Sequence, residues 1–154
     1  MSHGRGKRIP EHKRRRYTGR GADYSFLRLP HFLLESAEFA ALSNAAARLL
    51  LDLAKRYRGR NNGDISCPWS RLSKEGWSSE NTVRRALHEL LAAGFLICTR
   101  SPMRKRCGLY AITWEAVDEC PGKMLEVRPE RVPSQLWRNR NSNGGGKGAS
   151  PHAA

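Results

Sequence analysis

Residues 78–94 carry polar side chains whose types and spacing suit contacts with a polyanion. At about 100° per residue, the polar and apolar side chains of this stretch separate onto opposite faces of a helix. The polar face holds Ser78, Asn81, Arg85 and His88, and the apolar face holds Val83, Ala86, Leu87, Leu90 and Leu91. Arginine can pair bidentately with guanine and asparagine with adenine. Asn81 and Arg85 are therefore candidates for contacts with base edges.

Other polar side chains of this stretch suit phosphate contacts, which the free amides of a helix N-terminus assist. These residues are Ser78, Ser79, Thr82 and Arg84. His88 has no cysteine or carboxylate at ligand spacing, so we expect it to be solvated or to face phosphate. Alternatives remain open, because Arg85 and Asn81 could belong to an ordinary solvated helix face, and Asn81 could make a capping contact within the first turn. For Ser78, a capping role is compatible with a phosphate contact.

Capping residues and apolar spacing predict the helices that position this face. Ser43 is followed by an alanine- and leucine-rich helix over residues 44–57, and a short helix is predicted over residues 69–75. Ser78 is the predicted N-cap of the third helix, and Gly94 is its predicted end. A short helix, a glycine-containing turn and a longer capped helix are typical of a helix-turn-helix.

Two runs of β-forming residues, 95–100 and 109–114, follow the third helix. The turn region between them contains Pro102 and Gly108, so the pattern predicts a hairpin. Its predicted tip is basic and consists of Arg104, Lys105 and Arg106. We expect this tip to lie along a nucleic-acid backbone or in a minor groove, although a charged tip also discourages pairing with other strands.

The positive charge of the chain is concentrated at its ends. The 154 residues include 28 Lys and Arg against 14 Asp and Glu, which gives a net charge of +14. Eight of the basic residues precede Ser25 and six follow Cys120. Such arms add phosphate affinity that does not depend on sequence, because neutralised phosphates release counterions. The charge therefore favours a polyanionic partner.

Composition predicts one ordered domain over residues 24–120, with a disordered basic arm over 1–23 and a disordered tail over 121–154 that is rich in Pro, Gly and Asn. Trp137 is the large apolar residue of the predicted tail, where it could be a docking residue for a protein partner or simply be solvated. The arm residues expected to hold phosphate are Arg14, Arg15 and Arg16.

Several function classes are disfavoured by the sequence. No apolar run approaches the roughly 20 residues of a membrane span, and the basic N-terminus has no apolar segment after it. We therefore expect a cytoplasmic, nucleoid-associated protein without a membrane partner. The four cysteines form no CxxC pair, and the motifs GxxxxGK[ST], HExxH and GxSxG are absent. We expect neither a metal, nor a cofactor, nor catalytic residues, and so not an enzyme.

The order helix, strand, helix, turn, capped helix and two-stranded hairpin resembles that of small single-domain winged helix-turn-helix proteins of bacterial prophages and plasmids. The motif Ser78-x-x-x-Thr82-Val83-Arg84-x-Ala86-Leu87-x-x-Leu90-x-x-x-Gly94-Phe95-Leu96 is similar to the recognition helix and wing entry of GntR-like domains. The resemblance implies an α+β, mainly α fold, with a three-helix core and a two-stranded wing. We expect no fused effector-binding domain of the kind GntR-like regulators carry, and therefore no small-molecule-responsive transcriptional control.

These observations predict sequence-specific binding of double-stranded DNA, with the chain acting as a small transcriptional regulator of a mobile element. A palindromic site would imply a homodimer. One alternative is a DNA-binding replication or partition accessory factor that recruits a partner through Trp137. A second is an RNA or single-strand binder driven by the basic arms.

Overall fold

The computed structural model describes residues 26–139, an α+β arrangement of short and long helices around one small sheet. The helices are α1 (His31–Leu34), α2 (Ala37–Ala40), α3 (Asn44–Ala54), α4 (Trp69–Leu72), α5 (Glu80–Ala93) and α6 (Leu136–Asn139), and a 3-10 helix, Ser73–Glu75, continues α4. The strands are β1 (Ile65–Ser66), β2 (Leu96–Arg100) and β3 (Leu109–Ile112). The predicted long helices and the predicted hairpin are thus confirmed as elements.

The three strands form one antiparallel sheet in the order β1-β3-β2. Ile65 pairs with Tyr110 on one side of β3, and Leu96 pairs with Ile112 on the other. The register between β2 and β3 shifts at Thr99, between Cys98 and Arg100. The extra residue bends the hairpin at this point.

The core lies where α3 and α5 pack against each other and against the sheet. Both helices present the apolar faces that their spacing predicts, and these faces are buried. The fully buried positions include Leu49, Leu50, Leu53, Leu90, Phe95 and Ile112. Burial of such large apolar side chains is the main driving force for holding the helices in place.

The N-cap of α5 is one residue later than the sequence predicts. The Ser79 Oγ accepts a hydrogen bond from the Thr82 amide at 3.2 Å, whereas Ser78 is exposed and lies outside the helix. Serine is a common N-cap, so either residue could cap the helix. In the structure it is Ser79 whose hydroxyl accepts from the amide three residues later, that of Thr82. The predicted end is confirmed, because Gly94 adopts a left-handed conformation with a φ of 82°.

A carboxylate from α5 fixes the start of α3. Glu89 accepts hydrogen bonds from the amide and from the hydroxyl of Ser43, each at 2.7 Å. The same hydroxyl caps α3 by accepting from the Ala46 amide. The outer face of α5 is thereby tied to a second helix at its C-terminal half.

Asn62 joins the loop before β1 to the end of β3. Its side chain is fully buried, and its Nδ2 donates to the carbonyls of Ile112, Glu115 and Ala116 at 2.9 to 3.0 Å. Its Oδ1 accepts from the Ile112 amide at 2.8 Å. A buried amide with all of these partners satisfied favours one arrangement of the loop over others.

The described part of the predicted tail packs on the domain, so the boundary expected at residue 120 is wrong. Trp137 is only 1% exposed and stacks on Phe95, with ring centroids 5.7 Å apart. A second stacked contact joins Trp137 to Phe32 at 6.1 Å. The aromatic area that Trp137 buries contributes to the ordering of residues 121–139, together with the hydrogen bonds of this segment to the domain.

Gly94 allows this close approach. A Cβ at this position would lie 2.8 Å from the backbone nitrogen of Trp137.

The hypothesis of Trp137 as an exposed docking residue is also wrong, since its ring is part of the core. The predictions for residues 1–25, including Arg14, Arg15 and Arg16, and for residues 140–154 lie outside the described residues.

Candidate nucleic-acid interface

Four of the side chains that the sequence indicates as candidates for DNA contact lie together on the outer face of α5. Asn81, Arg84, Arg85 and His88 line one shallow depression, together with Glu89. The first four of these residues are exposed. Two successive helical turns bring them together, because residues three and four apart are neighbours on a helix surface. We refer to Asn81, Arg84, Arg85 and His88 as the helix face.

The two arginines of the helix face differ in their partners. Arg84 forms an ion pair with Glu80 at 3.3 Å, in which the side chains are 74% and 54% exposed. Arg85 forms no ion pair within residues 26–139. An exposed pair of this kind contributes only about 0.2–1 kcal/mol, so a phosphate can compete for Arg84. Arg85 needs no such exchange before it contacts a ligand.

The first turn of α5 is less suited to phosphate than the sequence suggests. The hydroxyl of Ser79 is used as the cap, and Thr82 and Ser79 are both half-buried. Glu80 places a negative charge in the first turn, where the helix amides would otherwise attract an anion. Ser78 remains exposed beside this turn.

The turn before α5 is fixed to α3 by an aromatic side chain. Trp77 is buried, and its Nε1 donates to Asp52 at 2.8 Å. The guanidinium of Arg48 lies 4.6 Å from the centroid of the Trp77 ring and donates to the carbonyls of Glu75 and Gly76. These contacts set the position of the α5 N-terminus relative to α3.

The carboxylate that anchors Trp77 is held in its charged form. Burial raises the pKa of Asp52, but hydrogen bonds from Lys55 and Trp77 outweigh this, and the pKa lies below its ordinary value. The anchor therefore persists through the neutral pH range.

The tip of the hairpin is a tight turn. Met103 and Arg106 exchange two backbone hydrogen bonds of 3.0 and 2.9 Å, and Lys105 has a φ of 65°. Arg104 and Lys105 are exposed at this turn. Arg106 is half-buried, and its Nη2 lies 3.4 Å from the Sδ of Met124. Two of the three predicted tip cations thus project freely, and the third folds back.

Residues 121–126 also hold the hairpin where β2 ends and the loop begins, which the sequence did not indicate. Arg100 donates to the carbonyls of Cys107 and Lys123, each at 2.9 Å. Glu126 accepts from the Ser101 amide at 3.0 Å and from its hydroxyl at 2.8 Å. These two hydrogen bonds lower the pKa of the Glu126 carboxyl below its usual range.

The cysteines offer no further site. Cys67, Cys98, Cys107 and Cys120 are all free thiols. Burial raises the pKa of Cys67 to about 11, so that this thiol stays protonated. Within residues 26–139, no three His, Cys, Asp or Glu side chains converge in a way that could hold a metal ion.

No protein-family model, curated protein or solved structure matches this chain. The resemblance to winged-helix proteins therefore rests on the residues quoted for it. Among the described helices, none combines the length and the apolar character needed to cross a membrane.

Proposed function

We propose that this chain is a winged helix-turn-helix protein that binds double-stranded DNA in a sequence-specific manner, and that it acts as a small transcriptional regulator of a mobile element. The observation that carries the proposal is the helix face. Asn81 and Arg85 lie exposed around one depression on α5, without competing ion pairs from residues 26–139. These two side chain types are the ones that pair bidentately with adenine and guanine.

The order of the elements supports this architecture. The helices α3, α4 and α5 occur in that sequence, with β1 between the first two and the hairpin β2-β3 after the third. In this interpretation α5 enters the major groove and the hairpin is the wing. The sheet order β1-β3-β2 places the hairpin beside the strand that precedes α4.

In this proposal the helix face provides specificity, and the basic residues of the hairpin tip and of the N-terminal arm provide affinity for any sequence. Each bidentate contact from the helix face would contribute about 1–3 kcal/mol of discrimination between bases. Arg104 and Lys105 at the hairpin tip would add phosphate contacts that all sequences share. The eight basic residues before Ser25 would extend this shared affinity.

The alternative role as a replication or partition accessory factor loses its main support. That role required Trp137 to be available to a partner, and Trp137 is buried between Phe95 and Phe32. An exposed aromatic anchor is what recruitment by a short segment would need.

Selection from a random duplex pool tests the proposed function. The full chain and the double variant Asn81→Ala, Arg85→Ala should be compared at physiological salt, where non-specific binding is weak. We expect the wild-type chain to enrich a motif and the variant to lose it while still retaining DNA. The matched control is Arg60→Ala, which removes one exposed arginine outside the helix face and should enrich the same motif.

Two results would overturn the proposal. One is that the wild-type chain enriches no duplex motif. The other is that structured RNA competes as well as any duplex, which would favour the arm-driven RNA or single-strand binder.

A further inference from the structure

A second basic surface lies at the C-terminal end of α3. An open cavity of about 850 Å³ is formed there by the segment that precedes α1, by residues 55–59 and by one side chain of α4. It shares no residue with the depression on α5. Five of its ten lining residues are cations, namely Arg28, Lys55, Arg56, Arg58 and Arg71, against the single carboxylate of Glu115.

One carboxylate beside the cavity positions several of these cations. Glu75 accepts from the Arg56 Nη2 at 2.9 Å and from the Arg71 Nε at 3.1 Å, and the Lys55 Nζ lies 3.6 Å away. Burial raises the pKa of Glu75, but the hydrogen bonds from Arg56 and Arg71 outweigh this and lower it overall. Lys55 also pairs with Asp52 at 2.8 Å, so Glu75 mainly serves Arg56 and Arg71, and one carboxylate cannot neutralise both of these guanidinium groups.

Arg56 is the most buried of the lining cations and is not fully satisfied. Its side chain is 7% exposed, and its Nη1 donates to the carbonyl of Ser66. Its Nε is buried and has no acceptor within residues 26–139. A buried N–H group without an acceptor costs free energy, so an additional anionic oxygen close to this guanidinium is favoured.

The cavity also has an aromatic rim. Phe26 is 74% exposed, which is unusual for a ring of this size, and the half-buried Tyr57 also lines the cavity. Arg28 is a further lining residue, which is exposed and forms no ion pair within the described part of the chain. An exposed cation next to an exposed ring is the combination that holds a phosphate and stacks on a base.

We propose that this cavity binds a nucleotide, with its phosphate near Arg28 and Arg56 and its base stacked on Phe26. The size of the cavity lies in the range of roughly 300–1,000 Å³ that is typical of small-ligand pockets. A free mononucleotide and a nucleotide unit of a single strand present the same phosphate and the same base. The site is separate from the helix face, so it does not depend on the duplex-binding function.

Calorimetry on the full chain tests this site with four ligands: AMP, adenosine, inorganic phosphate and a four-residue oligodeoxyadenylate. The test variant is Arg28→Ala with Arg58→Ala, which changes two exposed side chains of the cavity. The control is Arg60→Ala with Arg128→Ala, which removes the same charge from exposed positions outside the cavity. Melting curves verify that both double variants remain folded.

We expect the test variant to weaken the binding of AMP or of the oligonucleotide about tenfold, and the control to change it less than about twofold. Phe26→Ala should weaken both base-containing ligands about fivefold and leave inorganic phosphate unchanged. AMP bound as tightly as the oligonucleotide identifies a free nucleotide as the ligand, whereas a tighter oligonucleotide identifies a strand.

Equal losses in the test and control variants would overturn the proposal. So would inorganic phosphate bound as tightly as AMP, with no effect of Phe26→Ala. The duplex function is tested separately, by selection from a random duplex pool with the variant Arg28→Ala, Arg58→Ala. If this variant still enriches a motif, failure of the nucleotide site does not affect the proposed duplex binding.

Discussion

The helix face and the hairpin carry similar side chains but leave them in different states. On the helix face, Arg85 is exposed without an ion pair from the described residues, and Arg84 has one weak partner. On the hairpin, Arg100 donates to two carbonyls and Arg106 folds back towards Met124. Arginine on α5 is therefore available to a ligand, whereas two of the three hairpin arginines contact other parts of the protein.

The difference originates in residues 121–139. This segment supplies the Lys123 carbonyl and the Glu126 carboxylate that fasten the hairpin, and it ends in Trp137, which is buried in the core. No part of it lines the depression on α5. The hairpin should thus depend on the C-terminal segment, and the helix face should not.

The largest expected effect comes from removing the anchor of that segment. Trp137→Ala should lower the free energy of unfolding by about 3–5 kcal/mol, because it deletes a buried indole that stacks on two rings. Denaturant titration measures this loss. Val132→Ala is the control, since Val132 is 73% exposed, and it should change stability by less than about 0.5 kcal/mol. Similar losses in the two variants would mean that residues 121–139 do not hold the fold.

The next effect isolates the contact between Gly94 and α6. Gly94→Ala and Gly122→Ala both place a Cβ at a positive φ, which costs about 1–2 kcal/mol. Only at Gly94 would the new atom meet the backbone of Trp137, at 2.8 Å, whereas nothing lies within 4 Å at Gly122. We expect Gly94→Ala to cost about 1–3 kcal/mol more than Gly122→Ala in the same titration. Equal costs would contradict the close packing of α6.

The salt dependence of DNA affinity can separate the contributions of the cations at the hairpin tip. Replacing Arg104 and Lys105 by Ala should weaken binding to every duplex and reduce the slope of log affinity against log salt by about 1.8, since each phosphate contact contributes about 0.9. Arg106→Ala should change the slope much less, because Arg106 is half-buried against residues 121–126. Fluorescence anisotropy at several salt concentrations measures both slopes. An Arg106 effect as large as half that of the pair would show that this side chain also reaches phosphate.

The smallest effect concerns the contact of Glu126 with Ser101, where β2 ends and the hairpin loop begins, and it depends on pH. The pKa of Glu126 is lowered in the folded chain, so its contribution to stability is present above the unfolded pKa, about 4.3, and is lost as the pH falls through the folded value. Glu126→Gln should therefore be less stable than the wild type at pH 7, and the gap should narrow as the pH falls below about 4.3. Thermal melting from neutral to acid pH measures it. A gap that stays constant over this range would exclude the carboxylate as its origin.

Local patterns sufficed for the elements that build the helix face. The alanine- and leucine-rich run after Ser43 contains its own start and apolar face, and the capped stretch that ends at Gly94 also contains its own stop, so α3 and α5 were predictable. The predicted end of α3 at residue 57 is wrong, because the helix ends at Ala54 and only turns follow it. The spacing that brings Asn81, Arg85 and His88 together follows from the helix alone. The one-residue error at the cap arose because Ser78 and Ser79 are adjacent and chemically alike.

Long-range contacts set the limit of such prediction. Residues 121–139 have few apolar side chains, and the order of this segment depends on Trp137 meeting Phe95 and Phe32, which are distant in sequence. The lone tryptophan was a signal, but its partners were not visible. The same holds for Asn62, whose four hydrogen bonds cross about 50 residues.

The most direct test of DNA reading by the helix face compares Arg85→Ala with Arg84→Ala on a selected duplex and on random duplex of equal length. We predict that Arg85→Ala weakens the selected duplex by about 1–3 kcal/mol more than the random one. Arg84→Ala should weaken both by similar amounts, because we expect this arginine to contact phosphate. Equal losses on both duplexes from Arg85→Ala would contradict the assignment of Arg85 as a base-reading residue.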